Sequence, residues 1–169
     1  MIFEDSSGSD YDILRKRTIR NRVKGFIVLI REINDPEILV VKECYGQYGL
    51  PGGSKDKRDV TPLDCAKREF REEVGLSLPK TNFLECSVFR YKRVIYNMYT
   101  TTTEASIPEF SKSYGEIRGL RWIKLSNVTK PHILAKFRPC FQIYMKVLIQ
   151  VIKHTICTKC LLELDNLRV

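Results

Sequence analysis

The sequence lacks any long apolar run that would serve as a leader or a membrane anchor. Residues 1–17 mix acidic and basic side chains without an apolar centre, which argues against a secretory signal peptide. The longest apolar run, residues 143–152, is interrupted by Lys146 and Gln150 and is too short to span a bilayer. We therefore expect an intracellular, cytoplasmic protein without a membrane partner.

The sequence also lacks a cysteine pattern typical of a disulfide framework or a zinc site. Its six cysteines come without a secretory signal, so we expect reduced thiols and no disulfide partner. Cys157 and Cys160 form one CxxC pair with His154 three residues upstream. No second ligand pair stands at zinc-like spacing, which disfavours a structural zinc ion.

Length and charge indicate one basic domain. A chain of 169 residues with 43% hydrophobic side chains is suited to a single buried core. Lysine and arginine number 29 against 20 acidic residues, which gives a formal net charge of +9. This surplus favours anionic partners such as nucleotides, polyphosphates or RNA, although solubility alone would also account for it.

Turn signals and hydrophobic patterns divide the chain into elements. Residues 1–20 are polar and aperiodic and are interpreted as a flexible arm, so the folded domain is expected over residues 21–169. A glycine-rich loop is predicted at residues 45–54. Strands are predicted at residues 24–32, 38–43, 83–91, 95–105 and 120–125.

Two helices are predicted between and after these strands. The first is marked by Thr61 as N-cap, Pro62 in the first helical position, Asp64 at capping-box spacing and Gly75 as a left-handed C-cap. The second, from about residue 139 to 154, has an apolar stripe at helical spacing: Phe141, Tyr144, Met145, Leu148, Val151 and Ile152. This order predicts an α/β (α+β) fold with a mixed β-sheet sandwiched between α-helices.

One face of the first predicted helix carries three carboxylates. Glu69, Glu72 and Glu73 fall together at 100° per residue, away from the apolar stripe. Their mutual repulsion requires a positive charge between them, and a hard divalent cation with oxygen ligands would supply it. The alternative is a solvated helix face paired with neighbouring lysine and arginine. The preceding glycine-rich loop favours the metal site, because glycine allows a backbone to approach a phosphate or metal closely.

Gly52 and Gly53, followed by residues 68–76 (REFREEVGL), resemble the box of the Nudix hydrolase family. That box reads G, five residues, E, seven residues, then R-E-apolar-x-E-E-x-G-apolar, and its second half matches here throughout. In the first half Asp59 replaces glutamate, and eight residues instead of seven separate Asp59 from Arg68. The segment is also similar to that of Nudix mRNA-decapping proteins of large DNA viruses.

The resemblance implies roles for individual residues. It implies that Mg2+ or Mn2+ is bound by five groups: Glu69, Glu72, Glu73, Asp59 and the carbonyl of Gly53. It assigns catalysis to Glu72, to Arg68 as the partner that orients a glutamate, and to Glu116 as a distal base or ligand. Gly52 and Tyr48 are the expected substrate contacts. The alternatives left open are a loop carboxylate for Glu116 and a core position for Tyr48.

The activity that the resemblance implies is metal-dependent hydrolysis of a diphosphate linkage in a nucleoside diphosphate derivative. We favour the 5′ cap of messenger RNA, with release of 7-methyl-GDP, because the basic surplus and the run Arg15–Arg17 would follow an RNA backbone. The alternatives are free nucleotides, such as ADP-ribose, dinucleoside polyphosphates or oxidised nucleoside triphosphates, and a catalytically weak module that binds nucleotide or RNA. The intact REFREE run favours the enzyme.

Overall fold

A computed structural model describes residues 22–32, 34–78, 83, 85–104 and 117–166; from residue 155 onward it describes the backbone alone. The predicted arm, the expected domain start at Asn21 and Glu116 lie outside these residues. The described strands are β1 (Arg22–Arg31), β2 (Glu37–Glu43), β3 (Tyr48–Gly49), β4 (Gly52–Ser54), β5 (Glu85–Tyr91), β6 (Val94–Thr102) and β7 (Ile117–Lys124). The described helices are α1 (Pro62–Val74), α2 (Leu125–Val128), α3 (Pro131–Leu134) and α4 (Pro139–Asn166).

The strands form one mixed sheet. Its main path runs β3-β2-β1-β6-β5, while β4 pairs with β1 and β7 pairs with β2. β1 and β6 are parallel, with partners from Arg22–Val94 to Ile30–Thr102, and the other pairs are antiparallel. Within the described residues the sheet therefore has a single parallel pair at its centre.

Helices cover both faces of this sheet. In β1, Phe26, Val28 and Ile30 belong to the core that α4 covers, whereas Ile27 and Leu29 belong to the core beneath α1. Because both faces of β1 are buried, its sequence is a nearly continuous apolar run instead of an alternating one. The predicted mixed sheet between helices is confirmed.

Local signals fix the ends of α1 as predicted. The Thr61 hydroxyl accepts a hydrogen bond from the Asp64 N–H at 3.2 Å, and the Asp64 carboxylate accepts one from the Thr61 N–H at 2.8 Å. Gly75 ends the helix with φ 77°. These two caps fix the register of α1, and with it the side chains that face the sheet and those that face solvent.

Three predicted boundaries differ from the structure. The predicted loop at residues 45–54 contains the short strands β3 and β4, which exist because they pair with β2 and β1. α4 continues to Asn166 instead of ending near residue 154. α2 and α3, of four residues each, were not predicted, since such short helices carry little periodic signal.

Two predicted absences can be compared with the described residues. Cys44, Cys65, Cys86 and Cys140 are present as thiols and not as disulfides. None of the helices in the described ranges has the length and apolar character needed to cross a membrane.

Gly25 sets the distance between β1 and α1, and we expect its replacement to be costly. A Cβ at this position would lie 2.1 Å from the Pro62 carbonyl oxygen, so Gly25→Ala must push the first turn of α1 away. We expect a loss of about 2 kcal/mol or more in the free energy of unfolding. Gly119→Ala in β7 is the control, because its Cβ would meet nothing within 4 Å. Denaturant unfolding of both variants checks this, and equal losses would contradict it.

Candidate active site

A cavity of about 510 Å³ lies between α1, the start of α4 and the strands β1, β2 and β4. The helix α1 supplies carboxylates to one wall, and β4 supplies backbone. The lining residues are Lys24, Phe26, Glu43, Gly52, Gly53, Ser54, Glu69, Glu72, Glu73, Ile117 and Arg138. Five predicted site residues, three on α1 and two on β4, therefore line one cavity.

Two glycines allow β4 to approach the carboxylates of α1. A Cβ on Gly53 would lie 2.6 Å from the Glu69 carboxyl carbon, so a side chain there would force the Glu69 carboxylate to move. Gly52 has φ +146°, and a Cβ there would lie 2.3 Å from the Gly25 carbonyl oxygen. The space left by the missing side chains brings the Gly52 N–H to 2.9 Å from Glu73 Oε2, to which it donates a hydrogen bond.

Arg68 is the centre of the charge network on α1. Its Nη1 donates to Glu69 Oε1 at 2.8 Å and to Glu72 Oε2 at 3.3 Å. Its Nε and Nη2 donate to the two oxygens of Asp59 at 3.0 and 2.9 Å. The hydrogen bonds between Arg68 and Asp59 are the main reason that the pKa of Arg68 is raised. The same hydrogen bonds hold the pKa of Asp59 well below its usual range. Both groups are therefore charged at neutral pH.

Asp59, which was predicted as a metal ligand, is bound by Arg68 and does not line the cavity. Its carboxylate is buried and accepts hydrogen bonds from the Arg68 guanidinium and from the Asp56 N–H. With both oxygens bound to Arg68, it anchors the residue that holds Glu69 and Glu72. Its predicted role as a direct metal ligand stays a prediction.

Glu73 is half-buried at the sheet side of the cavity. Burial raises the pKa of Glu73 to about 8, and the negative charges of Glu69 and Glu43 add to the rise. The hydrogen bond from Gly52 opposes this shift without cancelling it. The local field around Glu73 therefore favours a neutral acid or a nearby cation.

The donor set fits a hard divalent cation by its chemistry. Glu69, Glu72 and Glu73 present carboxylate oxygens to one cavity, and such oxygens are the preferred ligands of Mg2+ and Mn2+. Among the described residues, no three acidic, thiol or imidazole groups lie close enough to form a ready coordination set. Glu69 and Glu73 are instead bound by Arg68 and by the Gly52 N–H, which compensate charges that a cation would otherwise compensate. The Gly53 carbonyl accepts a hydrogen bond from the Cys65 thiol at 3.3 Å.

The other predicted residues divide between the cavity and the core. Gly52 lines the cavity as expected, but Tyr48 is buried, contacts the Phe137 ring edge to face at 5.6 Å and accepts a hydrogen bond from Arg121. Tyr48 therefore takes the core position that was the open alternative, and it is not among the residues that line the cavity. Glu116 lies outside the described residues, and its neighbour Ile117 lines the cavity.

Three charged lining residues were missed by the sequence analysis. Lys24 lies on β1, and Glu43 lies at the end of β2. Arg138 directly precedes α4. The separation of 114 positions between Lys24 and Arg138 leaves no local motif to join them. The only available signal was that Lys24 and Glu43 lie at ends of apolar strands, where side chains reach the edge of a core.

The raised pKa of Glu73 predicts a pH-dependent stability for the protein in chelator. Between the usual pKa of 4.5 and about 8, the folded state binds a proton that the unfolded state does not, so the free energy of unfolding should fall as pH rises through this window. Glu73→Gln should flatten this decline, while Glu32→Gln at an exposed position should retain it. Denaturant unfolding from pH 5 to 9 measures the slope. An identical slope in all three proteins would contradict the assignment.

Comparison with known proteins agrees with this fold. The family model for the NUDIX domain matches residues 21–141. Curated protein sequences give no significant match. Among solved structures, the Nudix hydrolase RenU from M. smegmatis is similar with a TM-score of 0.59 and 16% identity, over 78% of this chain and 86% of RenU.

Two further structures show the same fold. The MutT protein of Methanosarcina mazei Go1 has a TM-score of 0.56 and 18% identity, over 74% of this chain and 90% of its own. The NUDIX domain of Shewanella oneidensis NrtR has a TM-score of 0.53 and 19% identity, over 72% of this chain and 86% of its own. With the family match spanning residues 21–141, which is most of its length, this chain belongs to the NUDIX domain family.

Proposed function

We propose that the chain cuts a diphosphate linkage in the cavity beside α1, with Mg2+ or Mn2+ bound by Glu69, Glu72 and Glu73. The observation that supports this proposal is that all three carboxylates line one cavity, next to the backbone of Gly52 and Gly53. A solvated helix face would instead point such carboxylates into open water. When bound, the cation supplies charge neutralisation for the phosphates and a lowered pKa for an attacking water.

The chain's own residues hold this site in shape. Arg68 fixes Glu69 and Glu72, and Asp59 fixes Arg68, so the carboxylate positions follow from one anchored side chain. Gly52 holds Glu73 from the sheet side. Glu116 is the base that we propose from its place in the sequence, one residue before Ile117. Preorganised charges of this kind act without reorganisation during the reaction.

We expect Glu72→Gln and Glu73→Gln each to lower kcat by about a hundredfold or more, because each removes a charged ligand and little volume. Turnover is measured by separating and quantifying the two phosphate-terminated products with Mg2+ on a panel of nucleoside diphosphate derivatives, and Mn2+ should replace Mg2+. The matched control is Glu32→Gln, at an exposed position outside the cavity.

Near-normal turnover in both site variants would refute the ligand assignment. Full activity in excess chelator would refute the proposed dependence on a metal ion. Binding of these compounds without turnover by the unmodified protein would favour the catalytically weak module.

Within this activity, the substrate that we propose is the 5′ cap of messenger RNA, cut to release 7-methyl-GDP. The support is electrostatic: a formal charge of +9 exceeds what a small nucleotide requires and suits a polyanionic chain. The competing substrate is ADP-ribose, because the NrtR domain, which shares the fold, is described in complex with ADP ribose.

Rates at low and high salt distinguish these substrates. If RNA follows the basic surface, kcat/KM on long capped RNA should fall steeply as salt rises, since each phosphate contact releases counterions. An isolated cap dinucleotide should be cut much more slowly at every salt concentration, and its rate should depend weakly on salt. Equal rates on the two substrates, or a preference for ADP-ribose, would reject the capped RNA and leave the carboxylate site unchanged.

A further inference from the structure

Two cations line the same cavity as the carboxylates. They are Lys24 and Arg138, which come from distant parts of the chain. Burial, and next the positive charge of Arg138, lower the pKa of the Lys24 ammonium, so the two groups lie near enough to repel. Among the described residues, no carboxylate is within ion-pair distance of Lys24. Lys24 therefore brings to the cavity a positive charge without a direct partner among these residues.

Arg138 is held in place from two sides. Its Nη2 lies 2.9 Å from Glu43 Oε1, and its guanidinium carbon lies 5.3 Å from the centre of the Phe141 ring. Gly49 leaves the room for this ion pair, since a Cβ there would lie 3.0 Å from Glu43 Oε1. The Arg138 Nε is buried and has no hydrogen-bond partner among the described residues. The guanidinium is thus oriented but not saturated.

The start of α4 adds to the positive potential of this cavity. The helix begins at Pro139, the residue after Arg138, and runs for 28 residues. Its first turn contains no acidic side chain that would neutralise the positive end of the helix dipole. Two repelling cations beside a helix N-terminus are unfavourable by themselves, and an anion placed between them relieves that cost.

We propose that Lys24 and Arg138 form a phosphate-binding subsite that takes one phosphoryl group of the substrate in this cavity. The inference rests on the proposed function, in which a diphosphate occupies the same cavity. Lys24 contributes a point charge, and Arg138 contributes a planar fork that is paired with Glu43. The cavity then offers both carboxylates for a cation and cationic side chains for a phosphate.

Direct binding of inorganic pyrophosphate tests the subsite without the metal. Titration calorimetry in chelator at low salt should show that Lys24→Met weakens pyrophosphate binding about tenfold or more, the effect of losing one charge-assisted contact. Lys42→Met is the matched control, since Lys42 is exposed on β2 and does not line the cavity. Its affinity should stay within about twofold of the unmodified protein. Equal affinities of the two variants, or no binding by the unmodified protein, would overturn the subsite.

Arg138 requires a compensated variant, because its removal alone leaves Glu43 without the cation it contacts. We therefore compare Glu43→Gln with the double variant Glu43→Gln/Arg138→Gln, using unfolding to verify that both fold. In hydrolysis assays, Lys24→Met and the double variant should raise KM about tenfold with a smaller change in kcat, the pattern of lost substrate binding. Unchanged KM in both would overturn the proposal. Pyrophosphate binding that depends on Lys24, without hydrolysis of any substrate, would refute the proposed function and support the subsite.

Discussion

The close contact between α1 and the sheet is the constraint on which the site depends. Gly25 in β1 and Gly53 in β4 are register partners, so two adjacent strands lack side chains at the same level. The Pro62 carbonyl and the Glu69 carboxylate fill the space where their Cβ atoms would stand. A helix that packs this near to the backbone presents its carboxylates beside the Gly52 N–H instead of beside other side chains. The geometry of the active site therefore follows from backbone packing as much as from charged residues.

Charge is distributed unequally along the carboxylate helix. Arg68 contacts Glu69 and Glu72, whereas Glu73 is bound by a backbone N–H, which carries only a partial charge. Burial and two neighbouring carboxylates then raise the pKa of Glu73. The same cavity is lined by Arg138, which is paired with Glu43, and by Lys24, which has no ion pair among the described residues. In the proposed function, a ligand that carries metal and phosphate together would complement both sets of charges.

Much of the fold was predictable from the sequence because its signals are local. The capping residues Thr61 and Gly75 fixed α1, and the apolar runs of β1 and β2 identified two strands to within a few residues. The short strand β4 was not predictable, since its two glycines form a strand only through pairing with β1. Within the site, the motif supplied the residues on α1. The partnership of Asp59 with Arg68, the burial of Tyr48 and the arrival of Arg138 depend on packing between distant segments, which no local pattern encodes.

The parallel pairing of β1 with β6 governs the order in which the chain acquires structure. Residues 22–30 meet residues 94–102, so about seventy positions must be synthesised before the centre of the sheet has its partner. β1, β2, β4 and α1 leave the ribosome earlier, with one edge of β1 exposed until β6 arrives. Contacts of such long sequence separation slow folding, and an exposed apolar edge invites pairing with another chain. The polar and threonine-rich sequence of β6 serves as the late cover of that edge, so substitutions that delay its docking are expected to lower soluble yield before they affect catalysis.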